Sequence, residues 1–290
     1  MTRARLVLLG LAVGGLACGK QTFLAAVFVQ TPALKNPVDP ANDIPPFQVL
    51  TAYFGTIDTT SPTSIDPTKL APITDATVNI SFHHTGAGGS DPSEDRALAV
   101  PAAANPAGSY VLSSKDQPQL TFEAQTPYTL VLQTAGADGE AYGARLTPGT
   151  PDDLQEFATS TCTVLGITTA RCRDLTKGSP LALNRTPSPA GQERRPAFLL
   201  VGQIDPAQPA AQPQVTFQTV PDSAVKMLKY VLSDRDYRWE TFTVDATAFP
   251  AAGYYLVSLL TVKPGKVSGN AFLGSTALAA TGAAGVVHVQ

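Results

Sequence analysis

Hydrophobic and polar residues alternate in several short stretches of the chain. The clearest is residues 77–83, where Val78, Ile80 and Phe82 fall on one side of an extended backbone and polar residues on the other. A period of two predicts a strand that is buried on one face only. The same period predicts strands around further apolar residues: Tyr110 and Leu112, Leu120 and Phe122, and Tyr128, Leu130 and Leu132.

Two early segments, residues 23–29 and 47–54, are apolar on both faces. We therefore expect these strands to lie centrally in a sheet or beneath other elements. Proline and glycine concentrate between the predicted strands, and these stretches predict loops because proline cannot donate to a central ladder. The predicted loops are residues 32–46, 58–72, 85–95 and 101–108.

A second series of predicted strands begins after Pro196. Its members are residues 198–201, 215–220, 241–244, 254–262 and 286–289. Val225, Leu228 and Leu232 have helical spacing, so residues 223–232 favour a helix, with another strand as the alternative. A short helix capped near Thr150 is also expected in residues 151–159.

The pattern predicts an all-β protein with two β-sandwich domains of immunoglobulin or fibronectin style and one or two short helices in connectors. A chain of 290 residues is long enough to close two hydrophobic cores. Its expected parts are a signal peptide (1–17), a lipid attachment site and tether (18–21), a first sandwich (22–148), a connector with a disulfide loop (149–195) and a second sandwich (196–290).

The amino terminus has the features of a secretory signal. Arg3 and Arg5 precede twelve uncharged residues, 6–17, that end in small side chains. This run is shorter than the roughly 20 residues that a membrane span needs. A longer span would include Lys20, whose charge is costly at the centre of a bilayer. We therefore expect export and removal of this segment.

The segment Gly15-Leu16-Ala17-Cys18 resembles the lipobox of bacterial lipoproteins. The resemblance implies that Cys18 is diacylated on its sulfur and becomes the new amino terminus. The alternative is ordinary cleavage that leaves a free thiol. Gly19 follows the cysteine, where an Asp would favour retention in the inner membrane in the commonest lipoprotein systems, so the resemblance implies the outer membrane. Several acyl chains at one end give stable anchoring.

If Cys18 carries lipid, Cys162 and Cys172 are the two cysteines that remain. An even number in an oxidising compartment predicts one disulfide, which would close a short loop. A zinc site is the alternative, and it is disfavoured because the spacing is too long for a CxxC motif and no histidine lies nearby.

Several segments look like the transthyretin-type, immunoglobulin-like modules of bacterial surface lipoproteins, which are related to carboxypeptidase regulatory-like domains. The resemblance covers residues 47–148 and implies a sandwich fold without catalysis. The segments that carry it are Asp75-Ala76-Thr77-Val78, Gly108-Ser109-Tyr110, Pro127-Tyr128-Thr129-Leu130-Val131-Leu132 and Gly139-Glu140-Ala141-Tyr142.

Composition and charge narrow the possible partners. Charged residues make up only 15% of the chain and apolar residues 43%, a balance that suits extracellular β structure. Without residues 1–17 the chain has 18 basic and 23 acidic residues, a net charge of −5. The basic doublet Arg194-Arg195 lacks interleaved aromatic residues. We therefore expect no nucleic-acid partner.

The sequence predicts no catalytic residue, cofactor or metal. No GxSxG motif is present. His83 and His84 are adjacent on a strand end, so their side chains should point to opposite faces, and His288 is close to the terminus. Two acidic groups lack the calcium-loop spacing and include arginines. Those groups are Asp91, Glu94 and Asp95, and Asp234, Asp236 and Glu240.

These observations favour a non-enzymatic lipoprotein of the cell envelope, anchored to the outer membrane on its periplasmic or surface face. Its role would be structural, in assembly or in binding, with an envelope protein or glycan as partner. One alternative is a carbohydrate- or peptide-binding module that uses Trp239, Tyr237 and Tyr255, although Trp239 fits an anchor in the core or at its rim better. A second alternative is an unrecognised hydrolase.

Overall fold

The computed structural model describes a chain built almost entirely of strands, which confirms the predicted all-β class. The described residues are 20–31, 33–36, 39, 43–44, 46–58, 70–85, 94–123, 125–134, 141–164, 167–187, 194–208, 213–220, 236–268, 271–272 and 274–290. The helix expected in residues 223–232 lies outside them.

The elements follow one another in this order: β1 (Lys20–Thr31), β2 (Leu34–Lys35), β3 (Asp43–Ile44), β4 (Phe47–Asp58), β5 (Ala71–Pro72), β6 (Thr77–His84), β7 (Glu94–Ala99), β8 (Ser109–Ser113), β9 (Tyr128–Gln133), β10 (Ala141–Leu146), α1 (Gln155–Ala158), β11 (Thr161–Val164), β12 (Ile167–Ala170), β13 (Cys172–Leu175), β14 (Leu181–Asn184), β15 (Ala197–Ile204), β16 (Gln214–Gln218), β17 (Thr241–Val244), β18 (Gly253–Pro264), β19 (Lys266–Ser268) and β20 (Thr276–Val289). Two short 3-10 turns, Asp236–Arg238 and Ala246–Ala248, flank β17.

A nine-stranded sheet runs through the whole molecule. Its main order is β16-β15-β18-β20-β1-β4-β5, with β8 also paired to β4 and β13 to β20. The long strand β20 pairs along one edge with β18 in the antiparallel sense. Along its other edge it pairs in parallel first with β1 and then with β13. Residues of the two predicted sandwiches therefore share one sheet.

A second sheet has five strands, ordered β19-β10-β9-β6-β7. It packs on the part of the large sheet that contains β1 and β4. Strand β6 alternates exposed and buried residues along its entire length, as its sequence period predicts. The lower core lies between these two sheets. It includes Leu24 and Phe28 of β1, Leu50 and Phe54 of β4, and inward side chains of the five-stranded sheet.

The upper core lies at the other end of the large sheet. Strands β15, β18 and the end of β20 pack there against α1 and the two-stranded β14–β17 sheet. Ala279 belongs to the lower core and Val287 to the upper core. The two residues are eight positions apart on β20, so their side chains point to the same face of the sheet. One face of one sheet thus supports both cores.

Several sequence expectations are wrong in detail. Leu120 and Phe122 do not lie in a strand, because Thr121 and Glu123 bond to side chains of β6 and β9 instead of to a ladder. The helix expected in residues 151–159 is reduced to α1, since Leu154 is extended and bridges to Arg185. The last predicted strand, residues 286–289, is only the end of β20.

Candidate functional site

Cys18 and the predicted signal peptide lie outside the described residues. The first described element, β1, begins at Lys20, two positions after Cys18. It pairs with β4 along its whole length, from Lys20 opposite Asp58 to Thr31 opposite Phe47. The chain is therefore in regular structure almost immediately after the predicted acylation point.

The disulfide between Cys162 and Cys172 is confirmed. It joins β11 to β13 with a Cα–Cα separation of 5.1 Å, inside the range that a disulfide requires. Both cysteines are buried in a small apolar cluster with Leu34, Ala284 and Val286, on the face of the large sheet opposite the two main cores. Since both thiols are in the disulfide, they leave no pair for the zinc alternative.

The three aromatic candidates for ligand contact lie in different places. Tyr255 is fully buried in the upper core, where its hydroxyl donates to the Ala251 carbonyl at 2.8 Å. Trp239 is half-buried at the edge of the same core. Tyr237 packs on Phe198 in a separate cluster on the other face of the large sheet, with ring centroids 5.5 Å apart. They do not form one exposed row.

The three histidines also lie in different places. His83 lies on the exposed face of β6, with Nδ1 2.9 Å from an oxygen of Asp95. His84 points inward. His288 stacks on Tyr254, with ring centroids 4.5 Å apart, and contacts Asp174. Within the described parts of the chain, no three His, Cys, Asp or Glu side chains are grouped closely enough to hold a metal ion.

The acidic residues considered for calcium are only partly described. Glu94 accepts a hydrogen bond from Arg96 Nε at 2.7 Å, and Glu240 lies 3.5 Å from Arg194. Asp236 belongs to a 3-10 turn. Asp91 and Asp234 lie outside the described residues.

A buried polar cluster, formed by His84, Glu123, Thr85, Thr121 and Tyr128, closes one end of the lower core. His84 Nδ1 lies 2.5 Å from one Glu123 oxygen, which also accepts from the Thr121 hydroxyl at 2.9 Å. The other oxygen accepts from the backbone N–H and the hydroxyl of Thr85. Each of these hydrogen-bonding neighbours favours the ionised form of the Glu123 carboxylate.

The pKa values of this cluster follow from burial and hydrogen bonding. Burial alone would raise the pKa of the Glu123 carboxyl, but the hydrogen bonds from Thr85, His84 and Thr121 outweigh it and hold the pKa below its usual range. Burial raises the pKa of Tyr128 to about 12. The Tyr128 hydroxyl donates to the Thr121 carbonyl and accepts from the backbone N–H of Glu123. The cluster fixes the segment that follows Leu120 onto the sandwich.

A second polar cluster surrounds the fully buried side chain of Arg185, between the upper core and the connector. Its Nη2 donates to Asp152 at 2.5 Å and to the Arg195 carbonyl at 2.9 Å. Its Nη1 donates to the Trp239 carbonyl at 3.1 Å, and its Cζ lies 5.1 Å from the centre of the Trp239 ring. Burial lowers the pKa of the Arg185 guanidinium, and the Asp152 carboxylate opposes that shift.

Asp152 is shared between two arginines, because Arg195 Nη2 also donates to it at 2.6 Å. Asp153, its neighbour, receives two hydrogen bonds from Arg171. Burial would raise the pKa of Asp153, but the bonds and charge of Arg171 hold it below its usual range. The sequence predicted neither buried cluster, since the pairs Arg185–Asp152 and His84–Glu123 are 33 and 39 residues apart and no local pattern links them.

Within the described residues, no helix has the length and apolar character needed to cross a membrane. No protein-family model matches this chain, and no curated protein matches it either.

Proposed function

We propose that the protein is a lipid-anchored component of the bacterial cell envelope, attached through Cys18 to the outer membrane. The observation that carries the proposal is the position of Cys18, two residues before β1 in a lipobox-like segment. Two residues span at most about 7 Å. A lipid on Cys18 would therefore hold the folded sheet close to the bilayer, without a long flexible tether.

The disulfide supports this compartment. Stable disulfides form in oxidising environments such as the periplasm and the cell surface. Cys162 and Cys172 bond to each other, so Cys18 is the one remaining cysteine of the chain. The one cysteine outside the disulfide thus stands at the lipobox position, where acylation needs a free thiol.

The role that we propose for the anchored protein is structural or binding, with an envelope protein or glycan as partner, and not catalytic. Within each of its two buried polar clusters, the charged groups contact other groups of the same cluster. The Glu123 carboxylate has protein donors on both oxygens, and the Asp152 carboxylate contacts two arginines. Such groups stabilise a rigid frame that presents its loops to a partner.

Metabolic labelling with an alkyne fatty acid tests the anchor. The native chain should incorporate label and sediment with membranes. The Cys18→Ala variant should lose both, whereas the matched control Cys162→Ala/Cys172→Ala should keep the label, because it retains the predicted acylation point. Absence of label from the native chain, or its retention in Cys18→Ala, would refute the proposal.

A further inference from the structure

The two sheets that enclose the lower core form the lower sandwich. Three exposed cations lie along one edge of it: Arg145 of β10, Lys263 of β18 and Lys266 of β19. We call them the basic strip. None of the three forms an ion pair or side-chain hydrogen bond with a described residue. The other arginines described above do so, including Arg96, Arg171, Arg185 and Arg195.

The fold brings the three cations together. Arg145 and Lys266 are direct partners in the β10–β19 ladder, so their side chains emerge on the same face. Like charges placed opposite each other on two strands are destabilising. Lys263 lies three residues before Lys266, and its Cα is therefore at most about 11 Å from the Lys266 Cα.

The corner between β18 and β19 fixes this arrangement. Gly265, between the two lysines, donates its N–H to the Ala277 carbonyl at 2.7 Å. A Cβ on Gly265 would lie 2.5 Å from the Arg145 carbonyl oxygen, so the corner packs directly on β10. The lysines are thus held on either side of a tightly packed turn.

Asp152, an internal carboxylate beside this edge, is already neutralised. The backbone N–H of Asp152 donates to the Thr261 hydroxyl of β18, which places Asp152 beside this edge. Its carboxylate is shared by Arg185 and Arg195. The Arg195 and Lys263 side chains both approach Gly149, since a Cβ there would contact each of them. Positive charge therefore accumulates here in a chain whose residues 18–290 have a net charge of −5.

The strip also has a defined position relative to Cys18. Lys263 and Phe28 both pair with Ala279, so Lys263 is level with Phe28 of β1. Along the strand this is about 26 Å from Lys20, and across the sheet β18 is two strands, about 10 Å, from β1. A molecule lying with this edge on a bilayer would keep its amino-terminal strand close to the same surface.

We propose that the basic strip binds the anionic headgroups of phospholipids in the membrane that holds Cys18, so that the β18–β19 edge of the molecule rests on the bilayer. This proposal rests on the lipid anchor proposed above. Acyl chains and a basic surface act together in membrane attachment, and each cation near an anionic surface strengthens binding about fivefold. The acyl chains fix the molecule at one end, and the strip sets its orientation.

The test uses residues 18–290 with Cys18→Ala. This protein contains every described element and cannot be acylated, so any vesicle binding comes from its surface. Sedimentation is measured with vesicles of phosphatidylglycerol and phosphatidylcholine, and with phosphatidylcholine alone. We expect binding only to the anionic vesicles, with loss at high salt. The variant Arg145→Gln/Lys263→Gln/Lys266→Gln should bind about a hundredfold more weakly.

The control Lys115→Gln/Arg173→Gln/Lys177→Gln removes the same charge from exposed positions elsewhere and should bind like the parent. Urea unfolding verifies that both variants fold. Equal losses in the two variants, or no binding of the parent, would overturn the proposal. So would binding to soluble polyglutamate without binding to anionic vesicles, which would indicate an acidic protein as partner. Fatty-acid labelling of Cys18 is independent of all these results.

Discussion

Glu123 is the buried acid at the centre of the polar cluster that lies at one end of the lower core. Its pKa is held below the ordinary value in the folded protein, because hydrogen bonds from Thr85, His84 and Thr121 outweigh the effect of burial. A carboxyl whose pKa is lowered by folding stabilises the protein at pH values above its ordinary pKa of 4.5. That contribution is lost as the pH falls below 4.5 and through the folded value.

We predict that Glu123→Gln lowers the free energy of unfolding by about 2 kcal/mol at pH 7, the scale of hydrogen bonds to a charged group. The variant should also lose less stability than the native protein between neutral pH and pH 3. Urea unfolding across that range measures both effects. Glu94→Gln is the control, because the Glu94 side chain is exposed and its ion pair among the described residues is with Arg96. A native-like acid dependence in Glu123→Gln would contradict this account.

At this scale the sequence indicated orientation but not partners. The alternation of β6 assigned His83 and His84 to opposite faces, and the structure has one exposed and the other buried. Glu123, the partner of His84, is 39 residues away in a segment whose own alternation suggested a strand. Pairing at that distance follows from tertiary structure, which local periodicity does not contain.

Among the elements, β20 shows most clearly where prediction of strands from the sequence fails. Its last four residues are β-branched or aromatic in character and predicted a strand, whereas the preceding ten are mostly alanine, glycine and threonine. Alanine and glycine are depleted in strands, so propensity gave no signal. The segment is nevertheless a central strand that is buried on both faces. Close packing on both faces requires small side chains, which accounts for its composition. In contrast, β6 and β17 were predictable from alternation alone.

Gly285 of β20 illustrates this requirement. A Cβ at this position would overlap the ring of Phe157, the buried residue of α1. We predict that Gly285→Ala costs about 1 to 3 kcal/mol of unfolding free energy through overpacking. The double variant Gly285→Ala/Phe157→Leu should cost less than the sum of the two single changes. Thermal unfolding of the four proteins measures the coupling, and additive costs would show that the contact is not responsible.

At the scale of the whole molecule, the shared sheet joins both cores. Strand β20 has Ala279 in the lower core and Val287 in the upper one, and it pairs with β18 along its length. Unfolding either core would disrupt ladders that the other core needs. The sequence predicted two successive β series, but it did not indicate that the first and last long strands pair with each other.

We therefore predict one cooperative unfolding transition. Trp239, the only tryptophan, packs against the upper core, so its fluorescence reports on that end, while far-UV circular dichroism reports on all strands. The two signals should change together. Leu24→Ala in the lower core should cost about 2 to 5 kcal/mol and shift the Trp239 transition as well. A fluorescence midpoint unmoved by Leu24→Ala would show that the two ends unfold independently.

The central claim is the lipid on Cys18, and the intact mass of the protein extracted from membranes tests it most directly. The account predicts a chain that begins at Cys18 and is heavier than residues 18–290 by the mass of its acyl groups, with no such species in Cys18→Ala. A native chain that still begins at Met1, or one that carries an unmodified Cys18, would contradict it.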